Sequence, residues 1–230
     1  MKNNSYEIEK NVEKIRRGDN TGFITLNVYK DVIRYLKKNE YFTYYAYPDS
    51  EKVIIYSSKE PKVRLFRIDS YEEITHREVM GSLFGLNISS EVFGDIVLYD
   101  GKFYVYLLDY ISDLVVNELC MIGNKYVELV EVDNDYLSKF RRDYEELEII
   151  VSSLRIDTVI ARLVNVNRDK AKDMIKNKLV TLNYDILNKY DYVIKDGDIF
   201  SIRKLGKYKY VGIIKRTKKD NYIIEIDKYV

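Results

Sequence analysis

The sequence predicts an α+β protein made of three small modules. Segments with a helical spacing of apolar residues alternate with short runs rich in β-branched and aromatic residues, and turn signals separate them. The 230 residues, 46% of them hydrophobic, suffice for two or three small cores. We place the modules at residues 1–73, 74–141 and 142–230.

The first module, residues 1–73, is predicted to be a small α+β unit. Residues 6–17 and 26–38 have apolar stripes at helical spacing. Strands are expected at 41–47, 52–57 and 62–68, which are rich in β-branched and aromatic residues. The tyrosines of the first strand fit sheet packing, and they would also suit a protein-binding surface.

The second module begins with a clear helix start. Thr75 and Glu78 have capping-box spacing, and Ile74 and Val79 occupy the positions of a hydrophobic staple. The next elements are predicted as strands at 95–99 and 102–107, a helix at 110–119 and a strand at 126–132. This α-β-β-α-β order predicts a small sheet with helices on one face. The polar residues 133–143 are interpreted as a linker or short helix.

Cysteine content and hydropathy point to a cytoplasmic protein. Cys120 is the only cysteine, so an internal disulfide framework is excluded, and its apolar surroundings predict a buried side chain. No run of about 20 apolar residues would span a membrane. The polar N-terminus lacks the apolar core of a signal peptide.

Charge is distributed unevenly along the chain. Residues 151–230 contain 18 Lys and Arg against 10 Asp and Glu, a net charge of +8, whereas residues 1–150 contain 20 against 27, a net charge of −7. A basic C-terminal region behind an acidic body predicts that a polyanion binds at the C-terminal end.

The third module has the tightest pattern. Ser153 is predicted to cap a first helix and Asn167 a second, and the apolar residues of both follow helical spacing. Strands are expected at 180–182 and 199–203, the latter after the turn Asp196-Gly197-Asp198.

Basic residues of the third module are predicted to share surfaces. Arg168, Lys172 and Lys176 are spaced i, i+4, i+8 and should form a row along the second helix. Arg155 and Arg162 should share a face of the first helix. Between residues 199 and 219 there is no acidic residue. Tyrosines 208 and 210 alternate with lysines there, and either base stacking or packing under a strand would explain them.

These motifs resemble the S4 RNA-binding domain. The resemblance is carried by Ser153-Leu154-Arg155-Ile156-Asp157, Asn167-Arg168, Leu182-Asn183 and Asp196-Gly197-Asp198-Ile199. Two glycines of the family pattern are replaced, by Lys178 and Tyr184. Residues 75–96, with Thr75-His76-Arg77-Glu78 and Gly94-Asp95-Ile96, resemble the middle domain of bacterial YlmH-type proteins, in which an S4 domain follows an α+β body.

The resemblance implies a non-enzymatic, cytoplasmic RNA binder, acting as a monomer without cofactor. Ribosomal RNA, and tRNA as well, would be its partners at the large ribosomal subunit in translation quality control, and a link to cell division is associated with the family. His76 and Arg77 are candidates for a secondary RNA contact. The predicted RNA-binding residues are Arg155, Arg162, Arg168, Lys172, Lys176, Asn183, Arg203, Lys204, Lys207 and Lys209.

Enzymatic and adaptor functions are the alternatives. His76 is the only histidine, so no Cys-His or Ser-His pair suggests itself, and no cluster of Cys and His predicts a metal site. Arg155-Ile156-Asp157 superficially resembles the catalytic motif of pseudouridine synthases, which makes an S4-bearing RNA-modifying enzyme the main alternative. The acidic body would suit an adaptor that binds a protein partner.

Overall fold

A computed structural model describes residues 2–229, with side chains from residue 5 onward, and confirms the α+β class. By its internal contacts the chain divides into two compact units, Met1–Arg141 and Arg142–Val230. The division into three modules stays a prediction.

The first unit contains α-helices and strands in mixed order. Its helices are α1 Lys2–Arg16, α2 Leu26–Val32, α3 His76–Gly85 and α4 Asp109–Glu118. Its strands are β1 Ile24–Thr25, β2 Phe42–Tyr45, β3 Lys52–Tyr56, β4 Val63–Ser70, β5 Phe93–Tyr99, β6 Lys102–Leu108, β7 Met121–Ile122 and β8 Lys125–Val132.

Two antiparallel sheets organise the first unit. A three-stranded sheet has the order β1-β3-β2, and a five-stranded sheet has the order β5-β6-β4-β8-β7, against which α3 and α4 pack. Strand β4, predicted as part of the first module, lies at the centre of the larger sheet between β6 and β8. Leu65 and Phe66, on opposite faces of β4, are both buried, so this strand needs cover on both sides.

Local signals of the first unit are mostly reproduced. Thr75 and Glu78 form the predicted capping box, with both reciprocal hydrogen bonds. Of the two interpretations of residues 133–143, the short helix is the one observed, because Asn134–Leu137 form a 3-10 helix, and Leu137 and Phe140 are buried in the core of this unit. The prediction of a buried Cys120 is also wrong, since the side chain is exposed after the end of α4.

The second unit consists of two helices packed on an antiparallel sheet. Its helices are α5 Ile156–Leu163 and α6 Arg168–Lys176. Its strands are β9 Tyr144–Val151, β10 Val180–Leu182, β11 Asp185–Ile186, β12 Ile199–Ile202, β13 Gly206–Arg216 and β14 Tyr222–Tyr229. The strand order is β11-β10-β12-β13-β14-β9. Ile156, Ile160 and Ile175 of the helices share the core with Phe200 and Ile224 of the sheet.

The helix caps of the second unit differ from one another. Asn167 caps α6 as predicted, because its side chain accepts from the backbone N–H of Lys170 at 2.8 Å. The prediction that Ser153 caps α5 is wrong. The N-cap residue is Arg155, without a side-chain cap, and the Ser153 hydroxyl lies 3.2 Å from that of Thr158.

The two positions where the S4 pattern has glycine keep the glycine-like conformation. Lys178 has φ of 57° and Tyr184 has φ of 72°. Lys178 follows the C-cap of α6, and the backbone N–H groups of Lys178 and Leu179 donate to the carbonyls of Ile175 and Met174. These are the two bonds of a Schellman motif, which favours glycine at the Lys178 position.

Lys178→Gly is expected to raise the free energy of unfolding by roughly 0.5–1 kcal/mol, since glycine relieves the left-handed strain at a small entropic cost. Urea denaturation measures this change. Asp173→Gly, within α6, is the control and should lower stability. A destabilised Lys178→Gly protein would show that the lysine side chain matters more than the backbone conformation.

Candidate nucleic-acid interface

A buried carboxylate joins the two helices of the second unit. Asp157, in the first turn of α5, is fully buried. The guanidinium of Arg155 donates to both of its oxygens at 3.2 Å. The guanidinium of Arg168, the first residue of α6, donates to the same two oxygens at 3.0 and 3.4 Å. We call Arg155, Asp157 and Arg168 the arginine clamp, because one carboxylate holds two arginines, one at the start of each helix.

The arginine clamp combines two positive charges with one negative charge. Burial is the largest influence on the Asp157 carboxyl and raises its pKa, but the combined hydrogen bonds and charges of Arg155 and Arg168 outweigh burial and hold the pKa below its ordinary value. The arginine side chains remain 35% and 48% exposed. Guanidinium groups held in a fixed orientation at the surface are well suited to bind phosphate oxygens.

An exposed tyrosine lies beside the arginine clamp. The ring centre of Tyr190 is 5.9 Å from the guanidinium carbon of Arg155 and 5.9 Å from Nζ of Lys172. The Tyr190 carbonyl accepts from the backbone N–H of Asp157, which fixes this loop against α5. An open ring among cations suits RNA, whose bases stack on aromatic side chains. Tyr190 is absent from the sequence-based set because it stands in a polar loop without a motif.

Each member of the predicted row on α6 has an acidic neighbour. Besides Arg168 in the arginine clamp, Lys172 lies 2.9 Å from Asp169, and Lys176 lies 4.0 Å from Asp173. Ion pairs this exposed contribute little to stability. A phosphate group can therefore compete for both lysines.

Other predicted cations lie at the ends of the helix pair. Arg162 is exposed in the last turn of α5. Arg203 and Lys204 are exposed in the turn between β12 and β13, and the backbone N–H of Arg203 donates to the carbonyl of Leu179 at 2.8 Å. This bond places the turn beside the C-terminus of α6, where Lys176 stands. None of these three cations has an ion pair with the side chains of residues 5–229.

Lys207 and Lys209 lie on the opposite face of the sheet. Tyr208 and Tyr210, which alternate with them, are buried in the core with the helices, and Tyr208 stacks on Phe200 at 5.5 Å. Of the two explanations for these tyrosines, packing under a strand is therefore the one observed. The same alternation directs Lys207 and Lys209 away from α5 and α6, so the structure separates them from the arginine clamp.

Asn183 is occupied inside the second unit. Its Nδ2 donates to Oδ1 of Asp198 at 2.8 Å, and its Oδ1 accepts from the backbone N–H of Ile199 at 2.9 Å. Asp198 is buried and also accepts from the hydroxyl of Tyr192 at 3.0 Å. The geometry thus gives Asn183 a structural role, in which it ties the β10–β11 turn to the Gly-Asp turn.

His76 and Arg77 are exposed at the start of α3, in the first unit. The helix start around them is firmly built. The Lys125 ammonium at 2.8 Å, together with hydrogen bonds from Thr75, lowers the pKa of Glu78 to about 2. An RNA contact at His76 and Arg77 stays a prediction.

The described part of the chain holds no candidate metal centre, since it contains no group of three or more His, Cys, Asp and Glu side chains that could bind an ion. Among residues 2–229, no helix is long and apolar enough to cross a membrane.

Comparison with known proteins gives two matching regions. Residues 58–136 match the family described as "Putative RNA-binding domain in YlmH", and residues 154–200 match the S4 domain family. The chain is 30% identical over 160 residues to the "Ribosome-associated protein quality control protein P2" of Bacillus subtilis, across 70% of this chain and 62% of that protein. It also resembles the solved "Cell division protein ylmH from Streptococcus pneumoniae", with a TM-score of 0.50 and 19% identity over 57% of this chain and 92% of the other.

The fold and these matches define an α+β protein in which an S4 domain follows a YlmH-type domain. The resemblance seen in its motifs is thereby confirmed, since a YlmH-type RNA-binding domain model and an S4 domain model both match this chain in that order. The match spans less than two thirds of the length of the Bacillus relative.

Proposed function

We propose that this protein binds structured RNA through the helix face of its S4 domain and has no enzymatic activity. The observation that carries the proposal is the arginine clamp. Two guanidinium groups are held by one buried carboxylate, beside the open ring of Tyr190 and the amine of Lys172. Because little side-chain freedom is left to lose, such a site binds phosphates at a low entropic cost.

The proposed RNA is ribosomal RNA or tRNA at the large ribosomal subunit. The name of the Bacillus relative attributes ribosome association and quality control to that protein, and we extend both to this chain. We further propose that it acts as a monomer in the cytoplasm. Its helix face would read the shape and backbone of the RNA more than its base sequence, because the cations of this face suit phosphate contacts.

The combined variant Arg168→Ala and Lys172→Ala tests the proposal. RNA affinity is expected to fall roughly tenfold at physiological salt, and the slope of log affinity against log salt should decrease by about 1.5, since two phosphate contacts are lost. Binding of a ribosomal RNA fragment at several salt concentrations measures both.

The matched control is Lys37→Ala with Lys38→Ala. These lysines are exposed in the first unit, and the variant removes the same charge from a different surface. If the helix-face variant keeps the wild-type affinity and slope, the proposed face is wrong.

The RNA-modifying alternative is disfavoured by the position of Asp157. A catalytic carboxylate must reach its substrate, whereas Asp157 is fully buried and both of its oxygens accept from Arg155 and Arg168. RNA incubated with the protein should therefore contain no new modified nucleosides by mass spectrometry. Their appearance would favour the enzyme.

A further inference from the structure

We propose that the first unit stacks an unpaired RNA base between Tyr71 and Tyr126, at the open end of its five-stranded sheet. This site lies outside the S4 domain. It rests on the proposed function only in that its occupant is RNA.

The two tyrosines lie next to the last residue pair of two neighbouring strands. Ser70 of β4 pairs with Val127 of β8 as the last pair of this ladder, and the Ser70 hydroxyl donates to the carbonyl of Tyr126 at 3.4 Å. Tyr71, which follows β4, and Tyr126 of β8 are therefore the next residues outward from this pair. Both line a groove of about 460 Å³. A groove of this volume is in the range that holds small ligands.

Neither ring packs in the core of the first unit. Tyr71 is fully exposed and Tyr126 is 75% exposed. No side chain of residues 5–229 stacks on either ring or bonds to its hydroxyl. By contrast, Tyr104 and Tyr106 in the same sheet are buried. Two exposed aromatic rings on either side of a groove form an apolar surface that a flat partner can cover.

The wall of the groove is rigid and polar. Asp69 is held bidentately by Arg67 at 3.0 and 2.7 Å and accepts from Nζ of Lys102 at 2.5 Å. Hydrogen bonds from Arg67 and then from Lys102 lower the pKa of Asp69, so this network stays charged and ordered at neutral pH. Asp69 and Lys102, two of the side chains that line the groove, are thus held in place before a ligand arrives.

Glu128 provides the complementary group for a base. It lies opposite Asp69 in the β4–β8 ladder and lines the groove, and no cation of residues 5–229 pairs with it. A free carboxylate accepts hydrogen bonds from the exocyclic amino groups of cytosine, adenine or guanine. Arg67 and Lys102 balance Asp69 and Glu128 in charge. Phosphates therefore gain little here, and we expect binding to depend on stacking and only weakly on salt.

The test uses the full chain and a short single-stranded RNA with one central 2-aminopurine, whose fluorescence is quenched on stacking. Wild-type protein should quench the probe. Tyr71→Ala and Tyr126→Ala should each weaken this binding by roughly fivefold to a hundredfold. The variants Tyr71→Phe and Tyr126→Phe keep the ring and should behave as wild type. Tyr110→Ala, at another exposed tyrosine, is the control for loss of any surface ring.

Absence of quenching by the wild-type protein overturns the proposal, and so does equal quenching by the wild type and both alanine variants. The helix-face site and the tyrosine site can be disproved separately. Loss of the helix-face contact changes the salt slope for structured RNA, whereas loss of the tyrosine site changes quenching at one base and leaves that slope unchanged.

Discussion

Asp157→Asn is expected to destabilise the second unit by about 1–3 kcal/mol, the cost of disrupting a buried charged hydrogen-bond network. The asparagine retains the shape of the side chain, but its NH₂ group faces a guanidinium donor and its negative charge is lost. Arg155 and Arg168 then lose the anion that holds them together. Urea denaturation of the wild type and the variant at neutral pH measures this difference.

The same carboxylate makes this difference depend on pH. The pKa of Asp157 is lowered in the folded protein, so its contribution is fully present above the unfolded pKa of about 4 and is lost as pH falls through the folded value. The stability difference between wild type and Asp157→Asn should therefore be constant near neutral pH and shrink in acid. A difference that persists unchanged in strong acid would show that the ionised carboxylate is not its source.

RNA binding by Asp157→Asn gives a second result. Removing a negative charge from the helix face would, by charge alone, raise RNA affinity. We expect the affinity to fall, because the two arginines lose their fixed orientation. Asp169→Asn is the matched control. It removes the same charge from an exposed acid beside Lys172, and it should raise affinity slightly. A rise in both variants would show that orientation by the arginine clamp does not matter.

Phe200→Ala should have the largest effect on stability, about 3–5 kcal/mol. Phe200 is fully buried in the middle of the sheet of the second unit. It pairs there with Leu182 and Tyr208 and stacks on the Tyr208 ring. The loss of the ring leaves a cavity that the paired strands on either side cannot close.

Calorimetry tests whether this effect stays within one unit. The buried core of the second unit shares no residue with the cores of the first, so we expect two unfolding transitions and a shift of only one. Phe66→Ala, in the centre of the five-stranded sheet of the first unit, is the control and should shift the unfolding transition of the first unit. A single transition that moves in both variants would show that the units unfold together.

Short-range patterns in the sequence were reliable. The capping box at Thr75, the cap at Asn167 and the turn at Gly197 all appear in the structure. Each depends on residues within a few positions of one another, so local chemistry suffices to predict it. The prediction that Ser153 caps α5 was wrong because its hydroxyl forms a hydrogen bond with that of Thr158. This contact competes with capping.

Burial was less predictable than secondary structure. The segment around Leu137 and Phe140 is polar in composition, yet its two apolar side chains complete the core of the first unit. Cys120 stands among apolar residues but comes just after the end of α4, where the chain is exposed. In both cases the outcome depends on the distant surface that the segment meets, which composition does not record.

The sequence by itself determined the fold class, the S4 helix pair and the cationic row on α6, since spacing along one helix decides which residues share its face. The tertiary structure decided how these cations are used. Asp157 accepts hydrogen bonds from Arg155 and Arg168, and Tyr190 lies beside them. Lys207 and Lys209 lie on the other side of the sheet. Contacts between elements follow from which apolar faces are buried together, and local spacing does not contain that information.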